Sequence, residues 1–143
     1  MINENLTVNK YFTEVVSDMT ENEISYQIRG AIFKVYNELG PGLLESVYET
    51  VLSYELRNLC LDVKNQVGIP MKYADIKFDC GFRLDILVNE KVIIEIKSVE
   101  SLCDVHHKQL LTYLKLTGIK LGLLINFNTA SIANSIIRIV NNL

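Results

Sequence analysis

The stretch RLDILVNEKVIIEIKS, residues 83–98, decides the fold of this chain. Both halves are rich in branched apolar residues, which favour β-strands, and Asn89-Glu90 between them favours a turn. Three charged residues lie inside these apolar runs, Asp85 in the first and Glu95 and Lys97 in the second. Burying an unpaired charge is costly, so these side chains need partners or a metal ion. The segment therefore predicts a β-hairpin that carries a polar site.

The length of the turn decides whether the three charges meet. Glu95 and Lys97 are two residues apart and therefore share one face of a strand. A two-residue turn would pair Asp85 with Ile94 and place Glu95 on the opposite face. A three-residue loop, residues 89–91, pairs Asp85 with Glu95 instead. We therefore predict this loop, or a bulge of equivalent effect.

Two carboxylates beside one ammonium group suit a divalent-cation site for phosphate chemistry. Mg²⁺ prefers oxygen ligands and commonly binds between one or two carboxylates and a substrate phosphate. A nearby lysine can orient the attacking water or stabilise developing charge. We expect Mg²⁺ or Mn²⁺ at Asp85 and Glu95, with Lys97 beside it. The alternative is a cross-strand ion pair, but two carboxylates facing one lysine leave an excess of negative charge.

Two helices precede the hairpin. Thr20 and Glu23 form a capping-box pattern, and an apolar stripe at helical spacing continues to Leu39 before Gly40-Pro41-Gly42 ends the first helix. A second helix is predicted over Leu43–Asn58. Its expected inward-facing residues are Val47, Val51, Leu52 and Leu56.

The remaining segments complete an α/β domain. The strand–helix–strand stretch over 91–126 is long enough for a right-handed crossover between parallel strands. We therefore predict a mixed central β-sheet flanked by helices, in the order α-α-β-β-β-α-β-α. Strands are predicted over 63–73, 78–88, 91–98 and 120–126, and the later helices over 104–117 and 130–142.

The composition fits one soluble globular domain and excludes disorder, because the 143 residues are 49% hydrophobic and 22% charged. We predict a single domain over 20–143, preceded by an Asn- and Glu-rich extension over 1–19. No apolar run is long enough to cross a membrane and the polar N-terminus lacks signal-peptide features, so we expect a cytoplasmic protein. Cys60, Cys80 and Cys103 form no C-x-x-C pair, and we expect free, mostly buried thiols.

Further motifs accompany the Asp85…Glu95-x-Lys97 triplet. Residues 42–48 fit G-x-x-E-x-x-Y, and residues 106–114 fit H-x-x-Q-L-L-x-Y-L. Residues 81–85 and 122–127 read Gly-Phe-Arg-Leu-Asp and Gly-Leu-Leu-Ile-Asn-Phe. From Ile24 to Phe127 the chain resembles the GxxExxY family within the PD-(D/E)XK nuclease-like superfamily. The resemblance implies a restriction-endonuclease-like core and a metal-dependent nuclease site.

The resemblance also implies roles for single residues of the hairpin. Asp85 and Glu95 resemble the metal-binding carboxylates, and the backbone carbonyl of Ile96 would be a further ligand. Lys97 resembles the catalytic lysine. The proline that often precedes the aspartate in this superfamily is replaced by Leu84, which leaves the ligand chemistry of Asp85 intact.

Two helices contribute the other expected site residues. Glu45 resembles the acidic helix residue that holds metal directly or through water, and Gln109 and Tyr113 resemble polar residues of the crossover helix that face the site. The alternatives are a carboxylate favoured by the helix macrodipole for Glu45 and an ordinary half-buried margin for the other two. His106 and His107 point about 100° apart on a helix, so we expect them at the site margin or in solvent.

The leading interpretation is a metal-dependent phosphodiesterase that cleaves DNA or RNA by attack of water. The net charge of −3 argues against a broad basic surface, although a metal ion and a few lysines and arginines can handle nucleic acid locally. One alternative is a non-catalytic module of the same fold that binds a protein or nucleic acid. Another is an enzyme acting on small phosphorylated molecules. A homodimer or a partner protein that supplies substrate affinity also remains open.

Overall fold

The computed structural model describes residues 18–143, which form three α-helices, five strands and one 3-10 turn. The predicted extension over 1–19 lies outside the described residues except for its last two. The elements are α1 (Glu21–Leu39), α2 (Glu45–Asn58), β1 (Val63–Tyr73), β2 (Ile76–Val88), β3 (Val92–Lys97), α3 (Asp104–Thr117), β4 (Leu121–Asn126), a 3-10 turn (Ile132–Ser135) and β5 (Ile136–Val140).

The strands form one five-stranded sheet in the order β1-β2-β3-β4-β5. Strands β3 and β4 are parallel, joined by α3, and all other neighbours are antiparallel. The first two helices pack on one face of the sheet, and α3 packs on the other. This is the predicted α/β architecture with a mixed sheet flanked by helices. No helix within 18–143 combines the length and apolar character that crossing a bilayer requires.

Helix α1 begins at the predicted capping box. The Thr20 backbone amide donates to Glu23 Oε2 at 2.7 Å, and the Glu23 amide donates to Thr20 Oγ1 at 3.2 Å. These two bonds satisfy amides that the first turn of a helix leaves without partners. The predicted apolar stripe is buried at Ile24, Ile28, Ala31, Ile32 and Val35, and its last member, Leu39, is half-buried.

In its first turn, helix α2 buries a different face from the predicted one. Tyr48 is fully buried, whereas Val47 is 38% exposed. The Tyr48 ring stacks on Phe127 with 4.3 Å between ring centroids, and its hydroxyl donates to the Gly40 carbonyl at 2.6 Å. The hydroxyl also accepts from the Leu43 amide at 3.1 Å. Since an aromatic ring buries more apolar area than a valine, the helix is rotated to place Tyr48 inward.

The β2–β3 hairpin has the predicted three-residue register. Val88 pairs with Val92, and Ile86 pairs with Ile94. Asn89 and Glu90 both adopt left-handed backbone conformations in the connecting loop. The loop therefore places the apolar residues of the two strands on matching faces, as the sequence pattern requires.

The last predicted element is wrong, because residues 130–142 form no α-helix. A 3-10 turn is followed by β5, which pairs with β4 through partners such as Leu121–Val140 and Ile125–Ile136. The side chain of Ile136 packs with the α1–α2 core, whereas that of Ile137 packs with the α3 core. This alternation has a period of two, which suits a strand beside the open edge of β4.

The prediction for the cysteines is confirmed for their free thiols and wrong for their burial. Cys60, Cys80 and Cys103 are free thiols, but all three are exposed rather than buried. None of them faces the core. Cys60 lies in the turn after α2, Cys80 lies on the outer part of β2, and Cys103 immediately precedes α3.

Replacing Tyr48 with Phe removes the hydroxyl and retains the ring stack on Phe127. The Gly40 carbonyl loses its donor and the Leu43 amide its acceptor, so we expect the free energy of unfolding to fall by about 1–3 kcal/mol. Urea unfolding measures the change. Tyr54→Phe on the same helix is the control, because Tyr54 is 62% exposed, and it should change stability by less than about 0.5 kcal/mol. Equal effects of the two variants would contradict this role of the hydroxyl.

Candidate metal centre

Asp85 and Glu95 meet where the β2–β3 ladder ends. The backbone pairing reaches Ile86–Ile94, and beyond it the carboxyl side chains make the cross-strand contacts. The Asp85 amide donates to Glu95 Oε1 at 3.3 Å, and the Ile96 amide donates to Asp85 Oδ2 at 2.9 Å. The two carboxyl groups therefore lie together, as the predicted register requires.

The carboxyl group of Glu95 is buried, where a negative charge is unfavourable. The residue is 5% exposed, and burial, followed by the negative charge of Asp85, raises the pKa of Glu95 to about 8. A hydrogen bond between the two carboxyl side chains acts in the same direction. The Asp85 amide and the ammonium group of Lys97 lower this pKa, but with less effect. With both carboxyl groups ionised, the pair would carry more negative charge than Lys97 neutralises, and this donor set fits a divalent cation.

Strand β2 changes faces at Asp85. Ile86 packs in the core under α1 and α2, whereas Leu84 packs in the core under α3. Residues two apart in a regular strand share a face, so the strand twists sharply between these two residues. Asp85 lies at the twist, is half-buried and lines a cleft beside α2.

Strand β1 makes the same change opposite Asp85. Val63 belongs to the α1–α2 core, and Val67 packs against the α3 core. Gln66, one residue before Val67, has a left-handed backbone with φ of 49°. Both strands therefore change faces together at the position of the carboxyl pair, while the pairing keeps one register on either side of it.

Helix α2 forms one wall of a cleft of about 350 Å³ beside Asp85. Glu45 Oε1 accepts from the Ser98 amide at 3.2 Å, and the Ser98 hydroxyl donates to the Leu43 carbonyl at 2.7 Å. These bonds attach the start of α2 to the end of β3. The cleft is lined by Glu45, Ser46, Glu49, Gln66, Asp85 and Ile96.

Helix α3 approaches the carboxyl pair from the other side. Tyr113 is half-buried and stacks on Phe82 with 4.4 Å between centroids. Burial, followed by the negative charges of Glu95 and Asp85, raises the pKa of the Tyr113 hydroxyl. Gln109 lies one turn earlier and is exposed, and its side chain makes no hydrogen bond within 18–143. The structure thus brings Tyr113 near the pair and leaves Gln109 at the margin.

The two histidines of α3 contact the start of their own helix. His106 Nδ1 accepts from the Cys103 amide at 3.1 Å, and His107 Nδ1 lies 3.2 Å from the Cys103 carbonyl oxygen. Both side chains are half-buried. These contacts are those of residues that cap a helix.

Three further polar residues lie near the site and are not among the residues predicted from the sequence. Glu49 lines the cleft, and its position one helical turn after Glu45 could have indicated this from the sequence. Gln66 gives no sequence signal, because nothing in a strand pattern marks a left-handed residue. Asn126 is buried and accepts from the Val99 amide at 3.1 Å while donating to the Val99 carbonyl at 2.9 Å. It holds the segment that follows Lys97.

No group of three or more His, Cys, Asp and Glu side chains in the described part of the chain is close enough to bind a metal ion alone. Asp85 and Glu95 are the pair that is already together, and Glu45 faces the same cleft without joining them. A site with few protein ligands is what Mg²⁺ uses when waters and a substrate phosphate complete its shell.

A family model described as the PD-(D/E)XK nuclease superfamily matches residues 22–139. The chain belongs to this superfamily. Comparison with curated proteins and with solved structures gave no significant match. Membership of the PD-(D/E)XK superfamily agrees with the α/β fold and its mixed sheet, and it confirms the broader part of the predicted resemblance. The match does not distinguish the GxxExxY family within the superfamily.

The raised pKa of Glu95 predicts that stability depends on pH. Between the ordinary value of 4.5 and about 8, the folded protein keeps a proton that the unfolded chain releases. Stability of the metal-free protein should therefore fall as pH rises through this window, then level off. Glu95→Gln removes the titrating group. The unfolding free energy of Glu95→Gln relative to that of wild type should therefore increase across the window. The increase should be about 1.4 kcal/mol for each unit by which the pKa of Glu95 is raised.

Denaturant unfolding in the presence of a chelator, repeated between about pH 5 and about pH 8, measures this difference. Glu100→Gln is the matched control, because Glu100 is exposed and is not among the residues that line the cleft. If the difference in unfolding free energy between wild type and Glu95→Gln stays the same at every pH, the raised pKa of Glu95 is contradicted.

Proposed function

We propose that the protein is a metal-dependent nuclease of the GxxExxY family that hydrolyses phosphodiester bonds in DNA or RNA. The observation that carries the proposal is the contact of Asp85 and Glu95 across two strands, with the ammonium of Lys97 close enough to affect the pKa of Glu95. Superfamily membership supports the reaction class. Strained and perturbed polar groups of this kind concentrate at functional sites.

The G-x-x-E-x-x-Y motif has a physical basis in this structure that supports the family assignment. Gly42 has a φ of 94°, a conformation that favours glycine. Tyr48 closes the loop by bonding the Gly40 carbonyl and the Leu43 amide. This closed loop directs Glu45 toward the end of β3 and the cleft.

Asp85 and Glu95, with the backbone carbonyl of Ile96, would hold Mg²⁺ or Mn²⁺, and Glu45 would contribute directly or through water. When bound, such an ion supplies stabilisation of phosphate oxygens and a more acidic water. Glu95 must lose its proton to serve as a ligand, which the arrival of positive charge favours.

Other side chains would handle the substrate. Lys97 would stabilise negative charge on the phosphate or orient the attacking water. Tyr113 can donate a hydrogen bond from its hydroxyl at the α3 side, where its raised pKa keeps the proton in place. Gln109 would contact the substrate from the exposed margin of the same helix.

We propose nucleic acid as the partner and the cytoplasm as the location. Three free, exposed thiols are compatible with a reducing compartment. Because the chain has a net charge of −3, a second copy or a partner protein would add affinity for a polyanion. A non-catalytic module that binds protein or nucleic acid is the alternative, and a cleavage assay separates the two.

Lys97→Ala should lower the rate of Mg²⁺- or Mn²⁺-dependent cleavage by roughly 10²–10⁴, the contribution of one positioned charge-stabilising or proton-transfer group. Labelled single-stranded DNA, duplex DNA and RNA are the substrates, with chelator as the blank. Lys120→Ala is the control, because Lys120 lies just before β4, at the opposite end of the sheet from Asn126, the β4 partner of Lys97. No metal-dependent cleavage of any substrate by wild type would favour the non-catalytic module.

Glu45→Gln should raise the metal concentration needed for half-maximal cleavage, with partial recovery of the rate at high metal. The glutamine keeps an oxygen for the Ser98 amide, so the fold should persist. Glu21→Gln is the matched control, because Glu21 occupies the first turn of α1 as Glu45 occupies that of α2. If Glu45 is only a helix-terminal carboxylate, both variants should lose about 0.3–1 kcal/mol of stability and show unchanged metal titrations.

A further inference from the structure

Gln66 has a backbone conformation that is unusual for its place. It lies inside β1 and has a φ of 49°, in the left-handed region where residues other than glycine are uncommon. The pairing of β1 with β2 passes from Asn65–Ile86 directly to Val67–Leu84. The Gln66 carbonyl instead accepts from Arg83 Nη1 at 3.3 Å. Strained residues of this kind suggest a function when a site lies beside them.

The side chain of Gln66 links two walls of the cleft. Its Nε2 donates to Glu49 Oε1 at 2.6 Å and lies 3.4 Å from Asp85 Oδ1. Glu49 is on α2, and Asp85 is on β2. A neutral amide donor therefore lies between two carboxylates that would otherwise repel each other.

These contacts determine how Asp85 is held. Asp85 Oδ2 accepts from the Ile96 amide, and Oδ1 faces the Gln66 amide. With both oxygens engaged, the carboxylate is fixed in its plane. Without Gln66, Asp85 Oδ1 would lose its amide neighbour, and the carboxylate would be held less firmly on the side that faces α2.

We propose that Gln66 is a positioning residue of the site, whose amide fixes Asp85 and Glu49 in the arrangement that cation binding requires. The left-handed backbone is the device that directs this amide into the cleft while β1 changes faces. The proposal rests on the proposed metal-dependent function. It differs from a purely structural explanation, in which β1 needs the left-handed conformation only to twist.

Gln66→Gly separates the two explanations. Glycine adopts the left-handed conformation without steric cost, so the twist of β1 is retained while the amide is removed. Ala74→Gly is the matched control, because Ala74 also has a φ of 49° and lies in the turn between β1 and β2, outside the residues lining the cleft. Both variants should remain folded, because glycine relieves the left-handed backbone at each position and in Gln66→Gly this offsets the lost hydrogen bond to Glu49.

The deciding measurement is calorimetric titration of the metal-free proteins with Mn²⁺, with Asp85→Asn as the reference for a lost site. Gln66→Gly should bind Mn²⁺ about 10–100-fold more weakly than wild type, which is the usual effect of removing a group that orients a ligand. Ala74→Gly should bind like wild type. Gln66→Asn, which tolerates a left-handed backbone but is one methylene shorter, should also bind weakly.

The outcomes distinguish this inference from the proposed function. Wild-type Mn²⁺ affinity in both Gln66→Gly and Gln66→Asn would overturn the positioning role and leave the nuclease proposal standing. Weak binding by these variants, together with tight binding but no cleavage by wild type, would support the positioning role and overturn catalysis. A wild type that neither binds Mn²⁺ nor cleaves would overturn both.

Discussion

The structure depends on one constraint: two carboxyl groups, Asp85 and Glu95, lie side by side at the end of apolar strands. Glu95 accepts from the backbone amide of Asp85, and Asp85 accepts from the amide of Ile96, so the ordinary ladder stops and the side chains continue it. Burial and mutual repulsion make this arrangement unfavourable for a protein without a cation, as the pKa of Glu95, raised to about 8, reflects. An arrangement that opposes stability is best explained by the chemistry it performs.

The elements around the pair change the faces of two strands there and bring a helix beside it. The twists at Gln66 and Asp85 let the same two strands contribute to both cores, with α1 and α2 on one side and α3 on the other. Tyr48 then fixes the start of α2 against Phe127, immediately after β4. Of the three fixed residues of the G-x-x-E-x-x-Y motif, Glu45 lines the cleft, and Gly42 and Tyr48 shape the loop that delivers it.

The parts that sequence patterns predicted well are those controlled by short-range periodicity. The capping box at Thr20 and Glu23 marks where α1 begins, because both partners lie within one turn. The register of the β2–β3 hairpin follows from the requirement that its apolar residues share faces, which also brings Asp85 to Glu95. The crossover from β3 to parallel β4 follows from the length of the connection.

The sequence by itself therefore determined the α/β class, the hairpin register and the meeting of two carboxylates. Tertiary structure decided the rest. Segment 136–140 became a strand rather than a helix because β4 had a free edge, and α2 rotated because Tyr48 could stack on Phe127. The left-handed turn at Gln66 arises only where β1 passes from one core to the other. Such choices depend on partners distant in the chain, which local propensity does not encode.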